Sequence, residues 1–203
     1  MSITEATARR RLFAGLGVVS TAVALGGIFA AAALAPWFSL FRNALSDLGA
    51  AGTATAPLFN GALMLGGALG AGFVVAVWSE TDEPVHVGGT FLLLVAMGFM
   101  ALVGVFPIPS PVHFVVAIAF FVFLTLGVFV FGAGDFAAGR PVRGGALVAG
   151  AVAHVASWFW WLFYGWGGSG VAVPELVGSV ALAVWALWVS VDLWPEPLDP
   201  ERL

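Results

Sequence analysis

Four polar side chains with different chemistry lie close together in one short stretch of an otherwise apolar chain. The stretch is RNALSDLGA, residues 42–50, and it contains Arg42, Asn43, Ser46 and Asp47. A hydroxyl beside a carboxylate is compatible with a nucleophile and an acid–base partner, and the whole set is compatible with a binding site for a polar group. The same residue types also cap turns in hydrated connectors. The elements around the stretch must decide between these hypotheses.

The flanking sequence predicts an all-α polytopic membrane protein. The chain has 203 residues, of which 61% are hydrophobic and only 9% charged, whereas a soluble domain carries about 25% charged residues. The apolar residues form long runs that match the thickness of a bilayer. Six transmembrane helices in one bundle, forming a single integral membrane domain over 1–203, are expected near residues 12–35, 58–78, 86–106, 112–132, 144–165 and 172–193.

The arginines predict the orientation in the cell membrane. With six spans, one side carries residues 9–11, Arg140 and Arg143, and the other carries only Arg42. The positive-inside rule therefore predicts cytoplasmic N- and C-termini. The first apolar run is too long for the core of a cleaved signal peptide, so we expect a retained first helix.

Composition excludes several kinds of site. The chain has no Cys, which excludes disulfides and thiolate-bound metals, and its net charge of −4 argues against nucleic-acid partners. No phosphate loop, serine elbow or zinc-protease helix is present, and the three histidines fall at different depths, so no cofactor or metal is predicted. All basic residues are Arg, a bias typical of a halophile or of a GC-rich genome.

The opening stretch itself predicts a short amphipathic helix at the outer membrane interface, between helices 1 and 2. Over residues 41–48, Phe41, Leu45 and Leu48 share one face, and the four polar residues share the opposite face. Gly49 would end the helix. Such a helix would lie on the membrane with its apolar side down.

Three further polar residues are expected at the same level, because helices 2, 4 and 6 all begin on the outer side. Their N-termini also provide unpaired N–H donors. The predicted outer cup therefore contains Arg42, Asn43, Ser46, Asp47, Asn60, His113 and Glu175. Asp47, His113 and Ser46 are its candidate catalytic residues. Capping, loop hydrogen bonds and simple solvation are the structural alternatives for the same residues.

The other histidines lead to separate expectations. His154 falls near the middle of helix 5, where a neutral ring bonded to Thr90 or Thr125 is favoured over a proton relay. His86, beside Asp82 and Glu83, is expected to be solvated.

Small residues in helix 2 predict close packing. Ala62, Gly66 and Gly70 recur at intervals of four and would form one ridge. This ridge could pack on a neighbouring helix of the chain, on another copy of the chain or on a membrane partner.

Two segments resemble an uncharacterised prokaryotic membrane-protein family, domain of unknown function 998. They are FRNALSDLGAAGTATAPLFNGALMLGG, residues 41–67, and GVFPIPSPVHFVVAIAFF, residues 104–121. The resemblance implies a six-helix membrane protein and brings no known activity. It also implies that the family's recognisable polar positions are Asn43, Ser46, Asp47, Asn60 and His113.

Three functions remain open on the sequence. The first is binding or handling of a lipid headgroup or small polar ligand in the outer cup, with membrane lipids as partners. The second is a membrane-embedded lipid-modifying or hydrolytic enzyme that uses Asp47 and His113. The third is a structural or partner-binding subunit that associates through helix 2.

Overall fold

A computed structural model describes residues 3–165 and 167–194 and contains six long helices and no strand within those ranges. The α-helices are α1 (Ile3–Ala33), α2 (Ala56–Ser79), α3 (Pro84–Val105), α4 (His113–Ala137), α5 (Pro141–Tyr164) and α6 (Ala172–Leu193). A 3₁₀ helix, Leu45–Gly49, lies between α1 and α2. All six α-helices are long and apolar enough to cross a membrane. The predicted multi-pass membrane architecture is confirmed.

Local sequence signals set the ends of several helices. Pro84 and Pro141 each occupy the first position of a helix, where the missing N–H removes no intrahelical bond. Glu83 caps α3, because its carboxylate accepts a 2.7 Å hydrogen bond from the amide of His86. Gly165 follows α5 with a φ of 65°, a conformation that suits glycine.

The helices form a closed ring in chain order. Each α-helix packs against the next, and α6 packs against α1 to complete the ring. The bundle therefore has two ends, which we name for their contents. The 3₁₀ end carries the 3₁₀ helix and the starts of α2, α4 and α6. The terminal end carries the start of α1, the end of α6 and the connections α2–α3 and α4–α5.

The glycines of α2 allow the close helix packing that their spacing predicts. A Cβ on Gly66 would lie 2.9 Å from the Cβ of Ala24 in α1, and one on Gly67 would lie 2.8 Å from the backbone nitrogen of Ala101 in α3. These approaches allow no larger side chain without a shift of a helix. Because Gly66 and Gly70 are buried within the chain, association with another protein through α2 stays a prediction.

Candidate functional site: a lateral groove at the 3₁₀ end

The segment between α1 and α2 differs from the predicted surface helix. Residues 41–43 form a turn, and the helix is a single 3₁₀ turn whose Leu45, Ser46, Leu48 and Gly49 are buried. The physical reason is a set of long-range hydrogen bonds: Gly170 N donates to Phe41 O at 3.0 Å, and Ala172 N donates to Asn43 O at 2.9 Å. These bonds join the segment to the start of α6. The 3₁₀ helix therefore forms part of the bundle and does not lie on its surface.

Asp47 holds this turn together with one of its two carboxylate oxygens. Oδ2 accepts hydrogen bonds from Asn43 Nδ2 and from Ala44 N, both at 3.0 Å. The amide oxygen of Asn43 in turn accepts from Ser39 N at 3.0 Å. Within the described ranges, Oδ1 of Asp47 has no hydrogen-bond partner. Capping therefore engages Oδ2 of Asp47 and leaves Oδ1 available to accept a hydrogen bond from a ligand.

Glu175 provides the second carboxylate at this end. It lies in the first turn of α6 and is buried, with 7% of its surface exposed. Its Oε2 accepts a 2.6 Å hydrogen bond from Leu45 N. A solvated Glu175 was one structural alternative, and its burial shows that this alternative is wrong. The bond joins α6 to a residue 130 positions earlier in the chain.

His113 is buried at the start of α4 and is bound to the loop before it. Its Nδ1 lies 2.8 Å from the carbonyl oxygen of Phe106. Because a carbonyl can only accept, Nδ1 carries the proton, and Nε2 of the neutral ring is an acceptor. No other group in the described ranges hydrogen-bonds to Nε2. His113 therefore combines a structural bond with a free acceptor.

These residues lie at one end of a groove of about 700 Å³. Ser46, Asp47, His113 and Glu175 line its polar end. Apolar side chains of α4 and α5 line the rest, including Ile118, Phe121, Val122, Val155 and Phe159. Four of those five are exposed on the outside of the bundle. The groove therefore opens sideways, between α4 and α5, toward the space that a bilayer occupies.

The other residues of the predicted cup have different positions. Asn43 donates from Nδ2 to Asp47 Oδ2 and is not among the residues that line the groove. Asn60 donates from Nδ2 to Gly49 O at 2.9 Å and so fixes the end of the 3₁₀ helix. Arg42 is exposed and lies beside Gly168. The structure thus brings four of the seven residues into the groove, and ligand binding by any of them stays a prediction.

A second polar group, around His154, lies deeper in the same groove. Trp158 Nε1 donates to His154 Nε2 at 2.8 Å, and His154 Nδ1 lies 2.7 Å from Thr125 Oγ1. Because the indole can only donate, Nε2 is unprotonated and Nδ1–H donates to Thr125, whose hydroxyl donates to Phe121 O at 2.6 Å. The predicted bond to Thr125 is confirmed. Every position on the ring is occupied, and the network joins α5 to α4.

Sequence reasoning missed a third polar group, which lies at the terminal end. It consists of His86, Asp135, Arg140, Arg143 and Asp192, and we call it the ionic cluster. Asp135 and His86 are 0% and 3% exposed, so the expectation of a solvated His86 is wrong. The sequence signal for this cluster is a lone acid, Asp135, in the apolar run FGAGDF. The predicted fourth span ends near residue 132, whereas α4 continues to Ala137 and so includes Asp135.

The bonds of the ionic cluster converge on the carboxylate of Asp135. Arg143 Nε donates to it at 2.6 Å and Arg140 Nε at 3.0 Å, while His86 Nε2 lies 2.9 Å away. Arg143 also donates through Nη1 to Asp192. The cluster therefore joins α3, α4, α5 and α6, and the carboxylate of Asp135 has both oxygens occupied.

The geometry does not assemble a metal centre among the residues that the structure describes, since no group of three or more His, Asp or Glu side chains could hold a metal ion. Neither a curated protein nor a solved structure matches the chain. One family model does match, over residues 5–192, under the description "Protein of unknown function (DUF998)". That range includes all the polar groups described above and nearly the whole bundle, so the chain belongs to the DUF998 family.

Proposed function

We propose that the protein binds a membrane amphiphile in the lateral groove, with a hydrogen-bond-donating headgroup at the 3₁₀ end and an apolar chain between α4 and α5. The observation that carries the proposal is the groove itself: one cavity that is polar at one end, lined mostly by apolar side chains beyond it and open to the side. Its volume of about 700 Å³ is within the usual range for ligand sites, roughly 300–1,000 Å³.

The polar end favours a headgroup with N–H or O–H donors. Asp47 Oδ1 and His113 Nε2 are acceptors without partners among the described residues, and Glu175 adds a second carboxylate to the wall. No Arg among the described residues lines the groove, so an anionic headgroup would meet carboxylates without a compensating cation. An ammonium or hydroxyl group would complete the available hydrogen bonds.

The apolar length of the groove favours an acyl or isoprenoid chain. Ile118 and Phe159 are 63% and 57% exposed on the bundle surface, where lipid chains would contact them. A lipid whose chain enters the groove would keep its headgroup near the membrane interface. The same molecule could therefore reach the site by lateral diffusion within one leaflet.

Binding is favoured over catalysis by the bonds that the candidate catalytic residues already make. Asp47 holds its own turn, and His113 Nδ1 is engaged by Phe106 O. No hydrogen bond joins Asp47, Ser46 and His113 to one another in the described part of the chain, so Ser46 is not paired with a base that would activate it as a nucleophile. The contacts of Asp47 and His113 therefore support a binding role.

The groove is proposed to open on the outer leaflet, because the arginine distribution favours cytoplasmic termini. The absence of Cys allows a clean test with single introduced thiols. Ala51→Cys at the 3₁₀ end and Asp82→Cys at the terminal end both replace exposed residues. In intact cells, a membrane-impermeant maleimide should label the first variant and spare the second. The opposite pattern would place the groove in the inner leaflet.

Native mass spectrometry of protein extracted gently from its own membrane tests the binding function. The wild type should carry a lipid adduct. Val122→Trp should remove it by filling the groove, whereas Val115→Trp, on the same helix but outside the groove, should retain it. Absence of any adduct from the wild type, or equal adducts on both variants, would contradict the proposal.

A further inference from the structure

The polar end of the lateral groove contains two carboxylates that adjacent backbone amides hold in place. Asp47 Oδ2 accepts from Ala44 N at 3.0 Å, and Glu175 Oε2 accepts from Leu45 N at 2.6 Å. The amide nitrogens of consecutive residues lie within about 4 Å of each other, so the two acids are anchored to adjacent points of the chain. Their negative charges are close enough to repel each other.

Neither carboxylate has a basic partner among the residues that the structure describes. No ion pair joins Asp47 or Glu175 to an Arg or His of those residues. Arg42, at the same end of the bundle, is exposed and does not line the groove. The neutral ring of His113 supplies an acceptor and no charge. Because Glu175 is buried, its negative charge is costly until a cation or a proton neutralises it.

Three acceptor atoms at this end have no partner in the described ranges. They are Asp47 Oδ1, Glu175 Oε1 and His113 Nε2, and all three side chains line the groove. His113 and Glu175 are 3% and 7% exposed, yet each of the three atoms keeps surface that a water-sized molecule can touch. The acceptors are therefore held in place by the protein and open to a ligand.

We propose that the polar end binds a primary ammonium group, so that the ligand of the lateral groove is a lipid amine. An ammonium has three N–H donors and a positive charge. The donors equal the open acceptors in number, and the charge would stabilise both carboxylates, whereas a hydroxyl offers one donor and no charge. The inference rests on the proposed function and narrows its headgroup to one chemical class. The ammonium can belong to an aminophospholipid or to a long-chain amine without phosphate.

A proton is the competing explanation for two carboxylates without a cation. A protonated carboxyl group would remove one negative charge from the site, and a long-chain alcohol would then bind as well as a long-chain amine. The two explanations therefore differ in whether binding depends on the charge of the ligand and on the charge of the residue together.

The test is a titration with tetradecylamine and tetradecanol, followed by native mass spectrometry in micelles of an uncharged detergent. Glu175→Gln and Asp47→Asn each keep an oxygen that can accept from the backbone amide, but they remove the negative charge. Partition into the micelle is the same for every variant, so the ratio of variant to wild-type affinity reports on the site alone. Loss of a hydrogen bond between charged groups should weaken tetradecylamine binding by roughly 10- to 100-fold.

Tetradecanol binding should stay nearly unchanged in both variants, and its retention is the control for folding. A selective loss of tetradecylamine affinity in either variant would support the proposal. Unchanged tetradecylamine affinity in both variants would overturn it. Should neither variant fold, the amine-to-alcohol affinity ratio of the wild type, corrected for partition into empty micelles, decides, and a ratio near one would overturn the proposal.

Val122→Trp separates failure of this inference from failure of the proposed function. If it abolishes binding of both ligands while the carboxylate variants affect neither, the groove binds amphiphiles but not through an ammonium. If both ligands still bind to Val122→Trp, the groove is not their site, and both proposals fail. Fragmentation of the lipid that remains bound to the wild type distinguishes the two sources of the ammonium by the presence or absence of phosphate, and an amine of either kind supports the proposal.

Discussion

The two ends of the bundle use the same kinds of side chain in opposite ways. At the terminal end, Asp135 receives donors from two arginines and a histidine. At the 3₁₀ end, Asp47 receives two donors on one oxygen, and the ring of His113 makes one bond. Both ends have buried ionisable residues, but Asp135 has both oxygens occupied, whereas Asp47 and His113 each keep an acceptor without a partner among the described residues, beside a groove of about 700 Å³.

The number of occupied acceptor atoms separates a structural polar group from a binding one in a membrane bundle. A carboxylate whose bonds are all made within the chain joins helices and has little left to offer a ligand. A carboxylate or imidazole with one atom bonded to the protein and another facing a cavity is held in place by the first atom. Its second atom can still accept a hydrogen bond from a ligand. On this basis, changes in the ionic cluster should affect stability, and changes at the 3₁₀ end should affect binding.

The largest effect is expected for Asp135→Leu. Removal of this carboxylate leaves the buried guanidinium of Arg143 with Asp192 alone, and breaking a buried ion pair costs roughly 3–5 kcal/mol of unfolding free energy. Equilibrium unfolding in mixed detergent micelles measures the loss. The double variant Asp135→Leu/Arg143→Met should recover much of it, because an apolar replacement of a whole buried pair is often tolerated.

Unchanged stability in Asp135→Leu, together with loss of the lipid adduct, would reverse the comparison. The ionic cluster would then be the binding site, and the groove would be a packing defect.

The next largest effect is expected for Thr125→Val, at the deeper polar group. Valine keeps the shape but removes the acceptor for His154 Nδ1–H, and a buried unpaired donor costs roughly 1–3 kcal/mol. The same unfolding measurement detects the loss, and Thr125→Ser, which keeps the hydroxyl, is the control. Equal stability of the two variants would mean that the network around His154 does not hold α5 to α4.

A change in binding rather than stability is expected for His113→Asn. Asparagine can still donate to Phe106 O, but it lacks the acceptor that Nε2 presents to the groove. Loss of one hydrogen bond, about 0.5–1.5 kcal/mol, corresponds to roughly a two- to tenfold weaker affinity. Lipid titration followed by native mass spectrometry measures the affinity. A large loss of stability with unchanged affinity would make His113 purely structural.

The smallest effect is a pH dependence at Glu83. The hydrogen bond from the backbone amide of His86 lowers the pKa of the Glu83 carboxyl in the folded protein. A lowered folded pKa means that the cap stabilises fully above the ordinary carboxyl pKa and is lost as the pH falls through the lowered value. The difference in unfolding midpoint between wild type and Glu83→Gln should therefore shrink on acidification. A constant difference would contradict this role.

The sequence predicts the helices better than the contacts between them. The lengths of the apolar runs are enough to predict six spans, because bilayer thickness constrains them directly. The bond from Leu45 to Glu175 joins residues 130 positions apart, and no local pattern reports such a bond. For that reason the sequence predicts a surface helix around Asp47, whereas the structure shows a buried 3₁₀ helix.

The ionic cluster escaped prediction for a related reason. In the sequence, Arg140 and Arg143 indicate orientation, and the predicted fourth span, near residues 112–132, leaves Asp135 outside it. Only the length of α4, which continues to Ala137, brings Asp135 against Arg143 and His86. A lone acid at the end of an apolar run is the sequence signal that would have indicated the cluster.

The most direct test of the central claim compares two lipids with the same headgroup charge, of which only one has N–H donors; the other carries three methyl groups in their place. Phosphatidylethanolamine and phosphatidylcholine with identical acyl chains would compete for the wild-type protein, and native mass spectrometry would measure both adducts. Unpaired acceptors at the 3₁₀ end predict an excess of the ethanolamine adduct, because choline has no N–H. Asp47→Asn, which keeps an acceptor for Ala44 N but removes the charge, should reduce that excess. Equal adducts on the wild type, or a preference unchanged in Asp47→Asn, would contradict the account.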